Sequence, residues 1–266
     1  MRLYKYVGMG ALKAILRTST LGFSKPHLLN DPFDGPNSPD VPDYGVFGSI
    51  TAQIKNLAWS DNTAICSLTR TMKNALMWAH YGDSHKGAAI EIDAAACGFF
   101  DPATNLVPAH LGSVVYVQEP DMDQYVTRPS RATTVGRETE FRLDRYEMLQ
   151  RMFLTKPLCW AYEEEVRVVK GIHDLSKAGE SLSGRFEVVQ AGGRDLHALH
   201  IPAQAIKGVY LGIRAEPAEI RSIRDLVPAE RLFQCFRQRG SFDIGSKPLP
   251  PPSPKSRYRI TIKAAD

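Results

Sequence analysis

Residues 3–24 read LYKYVGMGALKAILRTSTLGFS, and this stretch decides how the chain begins to fold. Leu3 to Val7 has the composition of a short strand. Leu12, Ile15 and Leu16 then recur at helical spacing, and Leu21 to Ser24 returns to strand-forming residues. The sequence therefore predicts an opening unit of strand, helix and strand.

Periodicity downstream predicts both helices and strands. The predicted helices are Met72–Tyr81, Glu138–Phe153 and Pro217–Leu226. The predicted strands are Thr63–Leu68, Ala88–Ile92, Val114–Val117, Trp160–Val169, Arg185–Val189, Gly208–Leu211 and Tyr258–Ile262. This pattern indicates a single α+β domain with a mixed or antiparallel sheet core flanked by helices.

Three segments interrupt that pattern. Residues 25–62 begin with a run rich in proline, asparagine and glycine, which predicts a long early loop. Residues 118–135 are polar and are expected to be mobile. The proline-rich residues 247–254 are typical of a stiff extended connector.

Composition narrows the classes of protein. The chain has 266 residues and a formal net charge of +4, which is well below the clustered excess of a dedicated nucleic-acid binder. Cys66, Cys97, Cys159 and Cys235 have no C-x-x-C spacing, so they are interpreted as buried, reduced thiols. The sequence shows no signal-peptide core and no apolar run of membrane-spanning length, so we expect a cytoplasmic protein without membrane contact.

The densest chemical cluster is residues 76–87, LMWAHYGDSHKG, at the end of a predicted helix and in the turn after it. The aromatic rings suit stacking on a heterocycle, and the imidazole and ammonium groups suit phosphate binding or proton transfer. The candidate binding residues here are Trp78, Tyr81, Asp83, His85 and Lys86, with His80 as a candidate catalytic residue. The alternative is that the rings are core residues and that the histidines lie at the helix end because of its dipole.

This cluster lacks the spacing of a metal site. His80 and His85 are five residues apart, and neither H-E-x-x-H nor H-x-H occurs around them. We therefore expect no metal.

A second cluster is Trp160–Arg167, WAYEEEVR, interpreted as a strand with Glu163, Glu165 and Arg167 on one face. Two carboxylates beside a cation can stabilise a positively charged, sugar-like transition state. A solvated face with ion pairs along one strand explains the same pattern.

A third stretch runs from Ser24 to Asp34. Ser24, Asn30 and Asp31 are candidate ligand residues, and Asn30-Asp31-Pro32 equally fits a simple turn.

These clusters resemble a bacterial family of domains of unknown function. The shared motifs are LYKY at residues 3–6, NDPF[DE] at 30–34, [LM]WxHYxDxHKG at 77–87 and WxYExExR at 160–167. The order of parts is also similar to the ADP-ribosyltransferase superfamily, especially its DNA-modifying toxin branch, at the level of fold analogy.

The second resemblance implies a split-sheet fold, NAD as a substrate, and a toxin or phage-defence effector that modifies nucleic acid or protein, with an antitoxin as a partner. It implies that Tyr4, Lys5 or Tyr6 meets the adenosine or pyrophosphate side of NAD and that Tyr81 or Trp78 stacks on nicotinamide. Glu163 or Glu165, beside Arg167, would bond the ribose 2′-hydroxyl.

Two other classes of function stay open. A nuclease would use His80, Asp83 and His85 on a bound strand. A non-catalytic module would grip a nucleotide or a partner with Trp78 and Tyr81.

Overall fold

A computed structural model describes residues 1–31, 34, 57–119 and 136–251. Its strands are β1 Arg2–Val7, β2 Thr20–Phe23, β3 Thr63–Thr69, β4 Ala88–Asp93, β5 Val115–Val117, β6 Thr155–Pro157, β7 Glu165–Gly171, β8 Glu180–Ser181, β9 Gly184–Ala191, β10 Arg194–His200, β11 Ile206–Leu211, β12 Leu232–Arg237 and β13 Ile244–Pro248. Its α-helices are α1 Met9–Thr18, α2 at residues 57–62, α3 Ala75–His80, α4 Tyr146–Phe153 and α5 Pro217–Arg224. The predicted α+β class is confirmed.

The strands form a large sheet and a smaller one. The large sheet has the order β13-β12-β11-β4-β1-β3-β7 and is antiparallel except between β11 and β12. The smaller sheet has the order β2-β10-β9-β8, and β5 pairs with β6 in parallel. The sheet is thus mixed, as the sequence predicts.

Side chains along β1 point alternately to the two faces of the sheet. Leu3 and Val7 point into the main hydrophobic core, whereas Tyr4 and Tyr6 lie on the opposite face with other aromatic residues. Helix α1 packs Leu12 into the same core. It ends at Ser19, whose left-handed backbone (φ 52°) lets its N–H bond the Ile15 carbonyl.

The predicted strand from Trp160 to Val169 is wrong in its first half. Residues Leu158–Glu163 form a 3₁₀ helix, Glu164 takes a left-handed conformation (φ 46°), and the strand begins at Glu165. Glu163 and Glu165 are also buried rather than solvated, because β7 lies under other elements and not at a free surface.

Other predicted segments differ in detail. Residues 57–62, assigned to the early loop, are helical, and residues 247–248, assigned to the connector, complete β13. The rest of the early loop from residue 35, most of the segment 118–135, the connector from residue 252 and the predicted strand Tyr258–Ile262 lie outside the described residues.

The cysteines match their prediction in part. Cys66 and Cys235 are buried free thiols, but Cys97 is half-buried and Cys159 is exposed. Within the described ranges, no helix has the length and apolar character needed to cross a bilayer.

Candidate functional site

A cavity of about 130 Å³ lies beside β1 and β3. β1 and β3 are in register at Tyr4 and Thr69. Toward its other end, β3 makes a bridge from Ile65 to Ser24, which directly follows β2. β3 therefore pairs with β1 only at Thr69 and bridges the segment after β2 at Ile65, while it pairs with β7 along its whole length. The lining residues are Tyr4, Lys5, Tyr6, Leu29, Asn30, Asp34, Ser67, Leu68, Thr69, Met77, Tyr81, Lys156, Glu163 and Glu165.

Buried charges form one side of this cavity. Glu165 and Arg167 alternate along β7 and so share a face, and the guanidinium donates to both Glu165 oxygens at 2.8 and 3.0 Å. Arg167 also donates to Asp34 Oδ1 at 2.6 Å and to the Phe153 carbonyl at 2.8 Å. Its charge is therefore satisfied without water.

Lys156 completes this cluster from β6. Its Nζ lies 2.5 Å from Glu163 Oε2, 3.2 Å from Glu165 Oε2 and 3.4 Å from Asp34 Oδ2. Burial disfavours the charged amine, but attraction to Glu165, Asp34 and Glu163 outweighs burial and raises the Lys156 pKa. Lys156 therefore stays charged and holds three carboxylates together.

Glu163 and Glu165 differ in their surroundings. Burial opposes ionisation of Glu165, yet Arg167 and Lys156 together lower its pKa to about 2. Burial raises the pKa of Glu163, and its hydrogen bonds from Lys156 and Tyr81 only partly oppose that shift. Glu165 is thus a fixed anion, whereas Glu163 is the carboxyl that can exchange a proton or a hydrogen bond with a ligand.

Tyr81 connects the helix-end cluster to the acidic cluster. It caps the C-terminus of α3, and its hydroxyl donates to Glu163 Oε1 at 2.6 Å while accepting from Asn30 Nδ2 at 3.2 Å. Burial and the Glu163 carboxylate raise its pKa, which keeps the phenol protonated as a donor. The backbone of Glu163 is held as well, because Thr69 Oγ1 donates to its carbonyl at 2.6 Å.

Trp78 is placed in the core. The indole is fully buried, donates from Nε1 to the Met72 carbonyl at 2.7 Å, and meets the ring of Tyr6 edge-on at 5.0 Å. A fully enclosed ring has no free face, so the stacking on a ligand predicted for Trp78 is not available.

Asp83, His85 and Lys86 lie in a turn away from the cavity lining. Asp83, Ser84 and His85 all have positive φ (50°, 51° and 69°), a strained run for residues other than glycine. The His85 carbonyl accepts from Arg214 N–H. These contacts fasten the turn to the segment after β11, and none of the predicted binding residues in it faces the cavity.

The remaining predicted residues divide between the cavity and its surroundings. Tyr4, Lys5, Tyr6 and Asn30 line the cavity. Lys5 Nζ donates to the Ser67 carbonyl at 3.2 Å, which satisfies a β3 carbonyl near the opening. Ser24 contributes its backbone bridge to β3. Asp31 is buried outside the lining, and His80 is exposed at the end of α3.

Lys156 and Asp34 are site residues that the sequence did not assign. Lys156 lies between the predicted helix Glu138–Phe153 and the predicted strand that starts at Trp160. Asp34 is the last residue of the NDPF[DE] motif, but no role was predicted for it. Their partners are far away in sequence, as in the Arg167–Asp34 contact, so no local periodicity could reveal them.

The fold and the cavity define an α+β protein with buried carboxylates, two buried cations and tyrosines around a small cavity. Residues 77–168 match the model of a family described as a protein of unknown function, DUF2971, which confirms the predicted resemblance to such a family. The matched segment contains Tyr81, Lys156, Glu163, Glu165 and Arg167. No curated protein and no solved structure matches the chain.

Among the described residues, no three His, Cys, Asp or Glu side chains are grouped so that they could hold a metal ion. The three carboxylates of the cavity are instead paired with two cations, Lys156 and Arg167.

Proposed function

We propose that this protein is an NAD-consuming enzyme of the ADP-ribosyltransferase type and that Glu163 is its reacting carboxylate. The observation that carries the proposal is the position of Glu163. It lies at the cavity, bound by Tyr81 and Lys156, and burial raises its pKa above the ordinary value. In this proposal the protein acts as a toxin or phage-defence effector in the bacterial cytoplasm, with an antitoxin as its partner.

The size of the cavity supports a single ring as its occupant. Its volume of about 130 Å³ is close to the roughly 150 Å³ of an engineered apolar cavity that holds benzene. The nicotinamide ring would lie between Tyr81 and the β1 residues Tyr4 and Tyr6, and the rest of NAD would extend out of the opening. The single-residue pairing of β1 with β3, together with the bridge from β3 to the segment after β2, also supports the analogy.

Glu163 would act on the ribose next to that ring. As the bond from C1′ to the pyridinium nitrogen breaks, its electron pair goes to nitrogen and neutral nicotinamide leaves. Glu163 accepts a hydrogen bond from the ribose 2′-hydroxyl and stabilises the positive charge on the sugar. The acceptor atom then bonds C1′ and releases its proton to solvent.

Glu165, Arg167 and Asp34 would position this carboxylate. Both carboxylate oxygens of Glu165 accept hydrogen bonds from Arg167, and one also accepts from Lys156, so neither oxygen is available to a sugar hydroxyl. Its negative charge holds Lys156 in place, and Lys156 in turn orients Glu163. We therefore assign catalysis to Glu163 and positioning to Glu165.

The test is nicotinamide release from NAD by wild type, Glu163→Gln and Glu164→Gln. The two variants make the same chemical change at adjacent positions, but Glu163 is buried in the cavity and Glu164 is exposed. We expect release by wild type and Glu164→Gln and a loss of at least about 100-fold in Glu163→Gln, the scale seen for removal of one transition-state contact.

Either of two results would reject the proposal. One is the absence of release from wild type in the presence of protein, DNA and RNA acceptors. The other is equal release by wild type and Glu163→Gln.

A further inference from the structure

Four rings form a continuous strip beside the cavity. Trp160 and Tyr162 have ring centroids 6.0 Å apart, Tyr162 and His80 are 6.1 Å apart, and His80 and Tyr81 are 6.4 Å apart. His80 is exposed and the other three are half-exposed. This aromatic strip ends at Tyr81, whose hydroxyl bonds Glu163, so a molecule on the strip lies next to the reacting carboxylate.

The fold holds the aromatic strip in place. Trp160 and Tyr162 belong to the 3₁₀ helix Leu158–Glu163, and His80 ends α3. Asn74 Nδ2 donates to the Tyr162 carbonyl at 2.8 Å, which joins the start of α3 to the 3₁₀ helix. Lys156 Nζ lies 5.1 Å from the Trp160 ring centroid, so one end of the strip also contacts the buried charge cluster.

Two exposed cations, Arg70 and Lys73, lie on the segment between β3 and α3. That segment is tied at both ends to the 3₁₀ helix that carries Trp160 and Tyr162, through Thr69 to the Glu163 carbonyl and through Asn74 to the Tyr162 carbonyl. The Arg70 guanidinium also donates to Ser113 Oγ at 2.6 Å. The exposed Glu164 lies on the same 3₁₀ turn, so this surface is only mildly positive.

We propose that the aromatic strip binds unpaired bases of a single-stranded nucleic acid and presents one of them to Glu163 as the acceptor. This inference rests on the proposed function. Aromatic side chains stack on any base, and Arg70 and Lys73 can each meet one phosphate. A duplex hides the faces of its bases, so the strip selects single strands.

Binding is measured first in the absence of NAD, with short single-stranded DNA and RNA oligonucleotides. The protein has three tryptophans, of which Trp59 and Trp78 are buried, so quenching of fluorescence by a stacked base reports on Trp160. Removal of one stacking ring weakens binding by roughly 5- to 150-fold. We expect that loss in both Tyr162→Ala and His80→Ala.

The matched control is His173→Ala. This histidine is also exposed, but it follows the end of β7 that is opposite to Glu165. We expect it to bind single strands as wild type does. His80 is a surface residue, so its variant reports on binding even if truncation of Tyr162 disturbs the fold.

The salt dependence provides an independent readout. Two phosphate contacts on a single strand predict a slope of about −1.4 in the plot of log K against log salt, and Arg70→Gln with Lys73→Gln should flatten it. Three results would overturn the inference: no binding of single strands, equal affinity in the ring variants, or preference for a duplex or a peptide. If the protein binds single strands but releases no nicotinamide, the aromatic strip is a nucleic-acid site and the proposed NAD-consuming activity is rejected.

Discussion

Replacement of Lys156 by methionine tests the buried charge cluster at its centre. The substitution keeps the length of the side chain but removes the one amine that contacts Asp34, Glu163 and Glu165. At these distances each such pair attracts by about 5 to 7 kcal/mol at an effective dielectric constant near 20, and desolvation offsets much of this. Removal of one partner from a buried pair costs about 3 to 5 kcal/mol, a large part of the stability of an ordinary domain.

The assay is urea unfolding of wild type and Lys156→Met as a function of pH. Burial raises the pKa of Glu163, and without the amine the hydrogen bond and charge of Lys156 no longer oppose that shift. Arg167 still favours ionised Glu165. The deficit in the free energy of unfolding is therefore full at neutral pH and shrinks as the pH falls through the raised pKa of Glu163.

The control for this experiment is Lys207→Met. The amine of Lys207 lies 3.9 Å from Asp93, and its side chain is 37% exposed, so its removal should cost well below about 1 kcal/mol. A Lys156→Met deficit no larger than the Lys207→Met deficit would refute the reasoning. So would a Lys156→Met deficit that does not change with pH.

Three further predictions concern the fold around the site. Trp78→Ala should lower the free energy of unfolding by about 3 to 5 kcal/mol in a urea titration, because the ring fills the core. An unchanged urea midpoint would contradict this role and favour the alternative that Trp78 stacks on a ligand. Gly112→Ala should destabilise the protein in thermal melts, because its Cβ would lie 1.9 Å from the Arg167 carbonyl, whereas Gly10→Ala in α1 meets nothing and should be neutral or stabilising. Glu165, with its pKa held at about 2 against 4.5, should contribute about 3 kcal/mol above pH 4.5 that is lost as the pH falls to 2, and Glu165→Gln should remove that slope.

Local periodicity was enough to predict the opening of the fold. Leu3, Leu12 and Leu21 each fall on the buried side of the element predicted for them, because burial of one face leaves a regular trace in the sequence. The α+β class followed from repetition of this signal along the chain.

The error at Trp160 to Glu164 has a different origin. Alternation of charged and apolar residues suits a strand, and it does not reveal that Glu164 adopts a left-handed conformation. That conformation ends the 3₁₀ helix and places Glu163 at the cavity, where Tyr81 and Lys156 bind it. Backbone strain of this kind is set by tertiary contacts, which a local pattern does not record.

The sequence pointed to about half of the residues that line the cavity. The chemistry of Glu163 and Tyr81 singled them out, but Lys156 and Asp34 are recognisable only once β6, β7 and the stretch after β2 have been brought together. The turn at Asp83 to Lys86 is the converse case. Its residue types suggested a binding site, whereas its backbone contacts serve to join it to the segment after β11.

The most direct test of the central claim is transfer of label from NAD that carries it in the adenylate phosphate. Wild type, Glu163→Gln and Glu164→Gln are each incubated with labelled NAD and separate pools of single-stranded DNA, RNA and protein. The account predicts label on a single-stranded nucleic acid with wild type and Glu164→Gln and none with Glu163→Gln. Label that persists in Glu163→Gln, or no label with any acceptor, would contradict it.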